Sequence, residues 1–345
     1  MVLSISSLRA DCEDAMKTVK ILDDDLLDSW EVKTGKVRQV SEVPDSYHWE
    51  FPSSLVIRTT DRTSASDVVF DEIEGKGILL NQTNNAWKRT LSQFIKTDFI
   101  TDEEKRILCI LGCKEMSPEL KGRLAIVDEA TPIRLELISR VTIDGSLFRL
   151  YSESGCREGT YLGNNLPGGL TKGQELPRPL FTPSTKEGPG KHDRNIDYDE
   201  MVDICDKFLI EEGIAGYNGD SLAESIKTAT LVITWAAQSL LKKHGQSLGD
   251  IKLEFGMVRH APNHMDRRTY ELCLIDEALT GDSSRILMDG VHYDKQYLRD
   301  YLEEAGWDGK SKFQLPEEVK KVFIQRYGVN MEIAKKIAIP FSTPF

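Results

Sequence analysis

From Leu248 to Gly256 the chain reads LGDIKLEFG, with Ile251, Leu253 and Phe255 alternating with Asp250, Lys252 and Glu254. A period of two predicts a strand with one apolar face and one face on which two carboxylates flank an ammonium. By itself the pattern fits a solvated strand face as well as a functional one. The next alternating segment, TYELCLIDEALT, follows the loop VRHAPNHMDRR, so the simplest arrangement is an antiparallel pair that brings Asp276 toward Glu254.

Elsewhere the pattern divides the chain further. Val32 to Phe70 alternates between turn-rich breaks and predicts an antiparallel sheet, residues 81 to 110 carry a helical pattern, and Arg123 to Tyr151 returns to strand-like composition. The Pro- and Gly-rich stretch from Asn164 to Asn195 is expected to be irregular. It reads either as an interdomain linker or as a binding loop presenting Thr182, Ser184, Thr185 and Lys186. Two helices follow, the second opened by a capping-box spacing at Ser221 and Glu224 and closed by Gly245. Beyond Asp294 the pattern is helical, with Pro316 at a helix start. We expect an N-terminal extension over 1–30, a first lobe over 31–130 and a larger lobe over 131–345.

Composition narrows the possible functions. With 345 residues, 40% of them apolar, the chain can build a substantial core, and its net charge of -12 argues against nonspecific nucleic-acid binding. Six cysteines without CxxC pairs point to reduced thiols and a cytoplasmic protein. The start meets Asp11 and Glu13 too early for a signal peptide, and ATLVITWAA is too short to cross a bilayer. Two acids on adjacent strands outline a Mg²⁺ site, since this ion commonly takes one or two protein carboxylates, although solvated or salt-bridged acids fit the same spacing.

LGDIKLEFG and LIDEALTGDSSR resemble the two signature segments of the phosphoribosylaminoimidazole-succinocarboxamide (SAICAR) synthase family. TGKVRQV, TTDRTSASDVVF, GKGILLNQ, PRPLFTPSTKEGPGKHD, HYDKQYLRDYLEEAGWD and LPEEVKKVFIQRY follow in family order, from Val32 to Tyr327. The resemblance implies an α+β, two-lobed, kinase-like or ATP-grasp-like fold with antiparallel sheets and ATP in the cleft. It implies a ligase that joins carboxyaminoimidazole ribotide (CAIR) to L-aspartate using ATP and Mg²⁺, with these small molecules as partners.

By the same resemblance, Glu254 and Asp276 hold Mg²⁺, while Lys252 and Asp250 face the reacting substrates. Gly35 and Lys36, with Lys252 and Glu254, contact the nucleotide. Arg140, Ser146 and Arg285 take the ribotide phosphate, and Asp250, Lys186 and the His192–Asp193 pair make further substrate contacts. His260 and His264, in HAPNH, are read as a hairpin loop without metal.

Several residues depart from the family pattern: Ser41, Asp128, Glu129, Val141, Thr142, Asp144, Gly281 and the Ile286–Leu287 pair. Asp144 carries negative charge near the expected phosphate pocket, in a segment read as a helix-free loop. The departures keep three alternatives open: a ligase for another carboxylate and amine, a silent nucleotide-binding paralogue, and a small-molecule kinase.

Overall fold

A computed structural model describes residues 20–44, 53–65, 68–188, 193–259 and 270–338; His192 and the HAPNH loop lie outside them. The small lobe carries β1 (Val32–Thr34), β2 (Arg38–Glu42) and β3 (Ser54–Thr59), then the hairpin β4 (Arg62–Ala65) and β5 (Val68–Glu72). It continues with β6 (Phe99–Thr101) and β7 (Leu124–Asp128), and the sheet order is β1-β2-β3-β7-β6. Its helices are α1 (Asp24–Asp28), α2 (Lys76–Leu91) and α3 (Glu104–Ile110). The predicted helical stretch over 81–110 is therefore broken by β6.

Residues 20–30 are not a separate extension. Leu22 and Leu27 are buried with Val56, Ile107 and Ile126, and Ile21–Leu22 pairs in parallel with Glu115–Met116. Apolar spacing built this segment into the small-lobe core.

The larger sheet contains β8 (Ala130–Pro132), β9 (Leu135–Thr142), β10 (Glu175–Thr185), β11 (Ser247–Arg259), β12 (Tyr270–Ile275), β13 (Ser284–Met288) and β14 (Val291–His292). Its main order is β10-β9-β11-β13-β14, with β8 and β12 also pairing with β11. The predicted hairpin is present: Glu254 lies opposite Ile275 and Arg259 opposite Tyr270. On the other face of β11, Ile251, Leu253 and Phe255 are 0%, 0% and 1% exposed. Burial of each such side chain stabilises the fold by about 1.5–3 kcal/mol.

Two further expectations are corrected. The stretch over 164–195 holds an eleven-residue strand, β10, despite Pro177, Pro179 and Pro183. That strand lies at the sheet edge, laddered to β9 on one side and joined on the other by a bridge from Ser184 to Asn195, so the missing proline donors leave no central ladder open. The strand-like segment around Arg140 bends after Thr142 into helix α4 (Gly145–Glu153). Asp144 is its N-cap and accepts the Gly145 N–H at 2.7 Å.

Helices α5 (Tyr198–Glu211) and α6 (Gly219–Lys242) cover one face of the large sheet, and α7 (Gln296–Glu304) and α8 (Glu317–Ala338) are the last described elements. Leu298, Val319 and Phe323 of these last helices pack with Ala65, Phe70 and Leu80, so the C-terminal segment returns to the small lobe. The α6 cap is one turn earlier than its spacing suggests. The Ser221 N–H donates to Asn218 Oδ1 at 2.8 Å, and the Asn218 N–H donates to Ser221 Oγ at 2.9 Å.

The cap makes a discriminating prediction. Asn218→Ala should cost about 1 kcal/mol in denaturant unfolding, as expected for a lost N-cap, and Glu224→Ala should cost less. The reverse ranking would return the cap to Ser221 and Glu224.

Candidate functional site

The period of β11 lays the site out in successive rows. In the first, Arg140 of β9, Asp250 of β11 and Arg285 of β13 are direct cross-strand partners. Asp250 Oδ2 accepts from Arg285 Nη1 and lies 3.8 Å from Arg140 Nη1. Arg140 is 4% exposed and donates from Nε to Thr182 Oγ1 and from Nη2 to Ser146 Oγ, each at 3.1 Å. Burial holds its guanidinium below the ordinary range, Asp250 opposes that shift and Arg285 adds to it. Ser146 reaches this row because α4 begins beside it. Gly145 permits the approach: its φ is 53°, and a Cβ there would stand 2.8 Å from Arg285 Nη2.

Lys252 occupies the next row, opposite Ile138, with its Nζ 2.6 Å from Glu136 Oε2. Burial raises the Glu136 carboxyl above the usual range, against the pull of Lys252. The Lys252 backbone N–H donates to Ser283 O at 3.0 Å, fixing the DSSR turn beside it.

The acidic end follows. Glu254 pairs with Lys186, and burial with the nearby Asp276 and Glu136 charges pushes its carboxyl up to about 7 against the Lys186 pull. Asp276 comes one residue after β12, in a left-handed conformation with φ 54°. Arg38 Nη1 lies 2.7 Å from Asp276 Oδ1, and Arg38 Nη2 lies 2.9 Å from Glu277 Oε1. Burial would raise the Asp276 carboxyl, but Arg38, Lys186 and Lys88 together hold it below the usual range. Asn84 of α2 fixes this turn, donating to Asp276 O at 3.3 Å and accepting the Ala278 N–H at 2.7 Å. The small lobe thus reaches the carboxylates through Arg38. Sequence reasoning passed over Arg38, although it stands two positions after Lys36 in TGKVR. Gly35 and Lys36 form the exposed β1–β2 turn, where the Gly35 N–H donates to Arg38 O at 2.8 Å.

A cavity of about 240 Å³ gathers five of the expected residues: Arg140, Ser146, Asp250, Lys252 and Arg285. Ser284, Lys295 and Arg299 line it too and were not singled out from the sequence. Gly35, Lys36, Lys186, Glu254 and Asp276 are not among its lining residues. Among the described residues, no three His, Cys, Asp or Glu side chains form a metal-ligand group. Two neighbouring carboxylates are the available acidic pair.

The departures from the family pattern have structural roles. Asp144 caps α4, Asp128 Oδ2 lies 2.9 Å from Lys96 Nζ, Ile286 is buried in the main core, and Ser41 is a buried β2 residue. Gly281 lets the Tyr327 ring sit against its backbone, where a Cβ would meet Tyr327 Cζ at 2.7 Å.

A model of the SAICAR synthetase family matches residues 31–314. The chain is 34% identical to phosphoribosylaminoimidazole-succinocarboxamide synthase of Geotalea uraniireducens (strain Rf4), over 85% of this chain and 90% of that protein. It is 33% identical, with the same coverages, to the enzyme of that name in Geobacter sulfurreducens (strain ATCC 51573 / DSM 12127 / PCA). Among solved structures, the Saccharomyces cerevisiae SAICAR synthase complexed with SAICAR superposes with a TM-score of 0.71 at 27% identity. That match covers 92% of this chain and 98% of the yeast chain. A type-2 SAICAR synthetase in complex with ADP shares the fold, with a TM-score of 0.58 at 22% identity, covering 89% of this chain and 98% of that one. Fold and site together define an ATP-dependent, carbon–nitrogen bond-forming ligase of the α+β class. More particularly, the chain belongs to the SAICAR synthetase family.

Gly145→Ala should displace the Arg285 guanidinium without touching the acidic end. We expect the KM for the phosphorylated substrate to rise about tenfold, equivalent to about 1.4 kcal/mol, with Mg-ATP affinity retained. Equal losses for both in steady-state kinetics would show that Gly145 does not tune the arginine row.

Proposed function

We propose that this chain joins the carboxylate of CAIR to the amine of L-aspartate, forming SAICAR, ADP and phosphate in purine biosynthesis. The observation that carries this reading is the ordered strand face: paired arginines, then Lys252, then the Glu254–Asp276 acids. Arg140, Arg285 and Ser146 would bind the ribotide phosphate through charge-assisted contacts. Asp250, held between the arginines, orients them rather than acting as a base. Lys252 would stand beside the ribotide carboxylate oxygen as it attacks the γ-phosphorus of ATP and ADP departs. The aspartate amine then attacks the activated carbonyl carbon, phosphate leaves with the bonding pair, and the nitrogen loses a proton to give the amide. Lys252 would offset charge during both transfers.

Glu254 and Asp276 suit Mg²⁺ because mutual repulsion and burial already raise Glu254, a crowding that a dication relieves and that Lys186 and Arg38 balance here. Bound there, Mg²⁺ would spread the charge of the transferring phosphoryl group. Lys36, in the hairpin turn, would approach the ATP phosphates from the lobe spanning 31–130, across the cleft from the lobe spanning 131–345. Lys186 would pass from Glu254 to a substrate anion, with Asp193 beside it.

A cytoplasmic location agrees with the five described cysteines, all free thiols. No helix among the described residues is long and apolar enough to cross a membrane.

The direct test mixes the protein with Mg-ATP, CAIR and aspartate and follows ADP together with product mass. Amide product is expected; a stable phosphorylated product would select a kinase, and absence of product with tight Mg-ATP binding would reject the ligase. In that assay Glu254→Gln and Asp276→Asn should each abolish turnover at limiting Mg²⁺ while the folded CD spectrum is kept. Full activity in either would remove the metal assignment.

A separate binding titration addresses the arginine row. Arg285→Ala should weaken CAIR by about 2 kcal/mol and ATP by much less, as for a lost desolvated charge-assisted contact. Equal weakening of both ligands would show that Arg285 is misplaced in this reading.

A further inference from the structure

Helix α6 buries Ala223, Ile226, Ile233, Ala237 and Leu241 against the core face of the large sheet. Its outer side carries a second stripe at the same helical spacing, in which Glu224, Thr228, Val232, Trp235, Ser239 and Lys242 are all exposed. The middle of that stripe is apolar. Trp235 is 69% and Val232 39% exposed, and half-buried Leu231 lies beside them. An indole left in water within an apolar patch, rather than singly, marks an interaction surface.

The two ends of the stripe carry opposite charge. Asp220 and Glu224 stand in the first turns of α6, and Lys242, Lys243 and His244 stand at its C-terminal end, all five exposed. Their contacts within the chain are surface pairs of small worth: Lys227 Nζ lies 3.3 Å from Glu224 Oε2, and Lys242 Nζ lies 2.7 Å from Glu175 Oε1. Glu224 and Lys242 are about 27 Å apart along the helix at about 1.5 Å per residue. A phosphate-bearing surface drawn to the lysines would meet the acids at the other end. A partner with the reverse order of charge satisfies both ends, and a second α6 laid antiparallel has that order.

We propose that the outer face of α6 is the interface of a homodimer, formed by two copies of this helix packed antiparallel about a two-fold axis. With the axis at the level of Ile233, Trp235 of one copy stands level with Leu231 of the other, Thr228 with Gln238 and Glu224 with Lys242. The two indoles then cover the apolar centre, and an acid meets a lysine at each end. Such a contact is self-complementary, as a two-fold interface must be, and it sets the helix dipoles head to tail. A tryptophan at the centre with charges at the rim is the distribution expected of an energetic anchor. Because α6 packs on Ile251 and Leu253, behind the face that carries Asp250, Lys252 and Glu254, both clefts stay open in the dimer. The inference therefore stands independently of the ligase reading.

Sedimentation equilibrium on the full chain tests this. Wild type at tens of micromolar should give twice the chain mass, and Trp235→Glu should raise the dimer dissociation constant about thirtyfold or more. Glu224→Lys and Lys242→Glu each set like charges against one another at both ends, so each variant alone should dimerise more weakly than wild type. An equimolar mixture of the two should regain the dimer, since every lysine then meets an acid. Thermal melts monitor folding, and the two charge variants carry the test if Trp235→Glu does not fold. Wild type that stays monomeric overturns the proposal, whether or not another protein binds the face. So does a dimer that folded Trp235→Glu leaves intact, or a mixture that dimerises no better than either charge variant alone.

Discussion

The two-faced character of one strand constrains everything else in the site. Ile251, Leu253 and Phe255 are sealed in the main core, so a one-residue slip of β11 would exchange them for Asp250, Lys252 and Glu254. Burying those charges without partners would cost far more than the fold's margin of about 5–15 kcal/mol. The core therefore sets the register, and the register places the chemistry. At about 3.4 Å per residue, Asp250 and Glu254 are separated by roughly 14 Å along the strand. In the proposed assignment, strand geometry would keep phosphate recognition and metal binding apart, with Lys252 between them.

Charge compensation makes that face tolerable. Asp250 lies between Arg140 and Arg285, Lys252 faces Glu136, Glu254 faces Lys186 and Asp276 faces Arg38. Each contact offsets a desolvation cost, and removal of one partner from a buried pair is more disruptive than the pair is stabilising. The exposed members, Lys186 and Lys252, are the ones that, in the proposed reaction, would exchange a protein carboxylate for a substrate anion. Buried Arg38 instead holds the turn that carries Asp276 and Glu277. The same side chains thus satisfy one another in the absence of substrates and, in the proposed reaction, would bind them afterwards.

The sequence disclosed what depends on local period. The β11–β12 hairpin, the approach of Asp276 to Glu254 and the C-terminal helices follow from alternation, turn residues and helical spacing. What it concealed depends on partners distant in the chain. Pro177, Pro179 and Pro183 argue against a strand until β10 is known to be an edge, and Asp144 looks like misplaced charge until α4 gives it N–H groups to cap. Within the stretch 1–30 read as an extension, the described residues 20–30 join the small-lobe core, because Leu22 and Leu27 are too few to announce a core by themselves. Lys295 and Arg299 lay in a recognisable segment, but only the cavity shows which wall they join.

Gly281 illustrates why a departure from a family pattern does not by itself argue for changed chemistry. The Tyr327 ring occupies the space that a side chain at 281 would need, and its hydroxyl grips Asp282. Asp282 also receives Lys76 from α2 and faces Lys295 beside α7. Three segments, including one from the small lobe, therefore converge on the turn that leads into Ser284 and Arg285. Because α7 and α8 pack against Phe70 and Leu80, the position of that turn depends on how the C-terminal helices seat on the small lobe. Glycine at 281 tightens this junction, so the local departure supports the turn that carries Arg285 through packing against Tyr327.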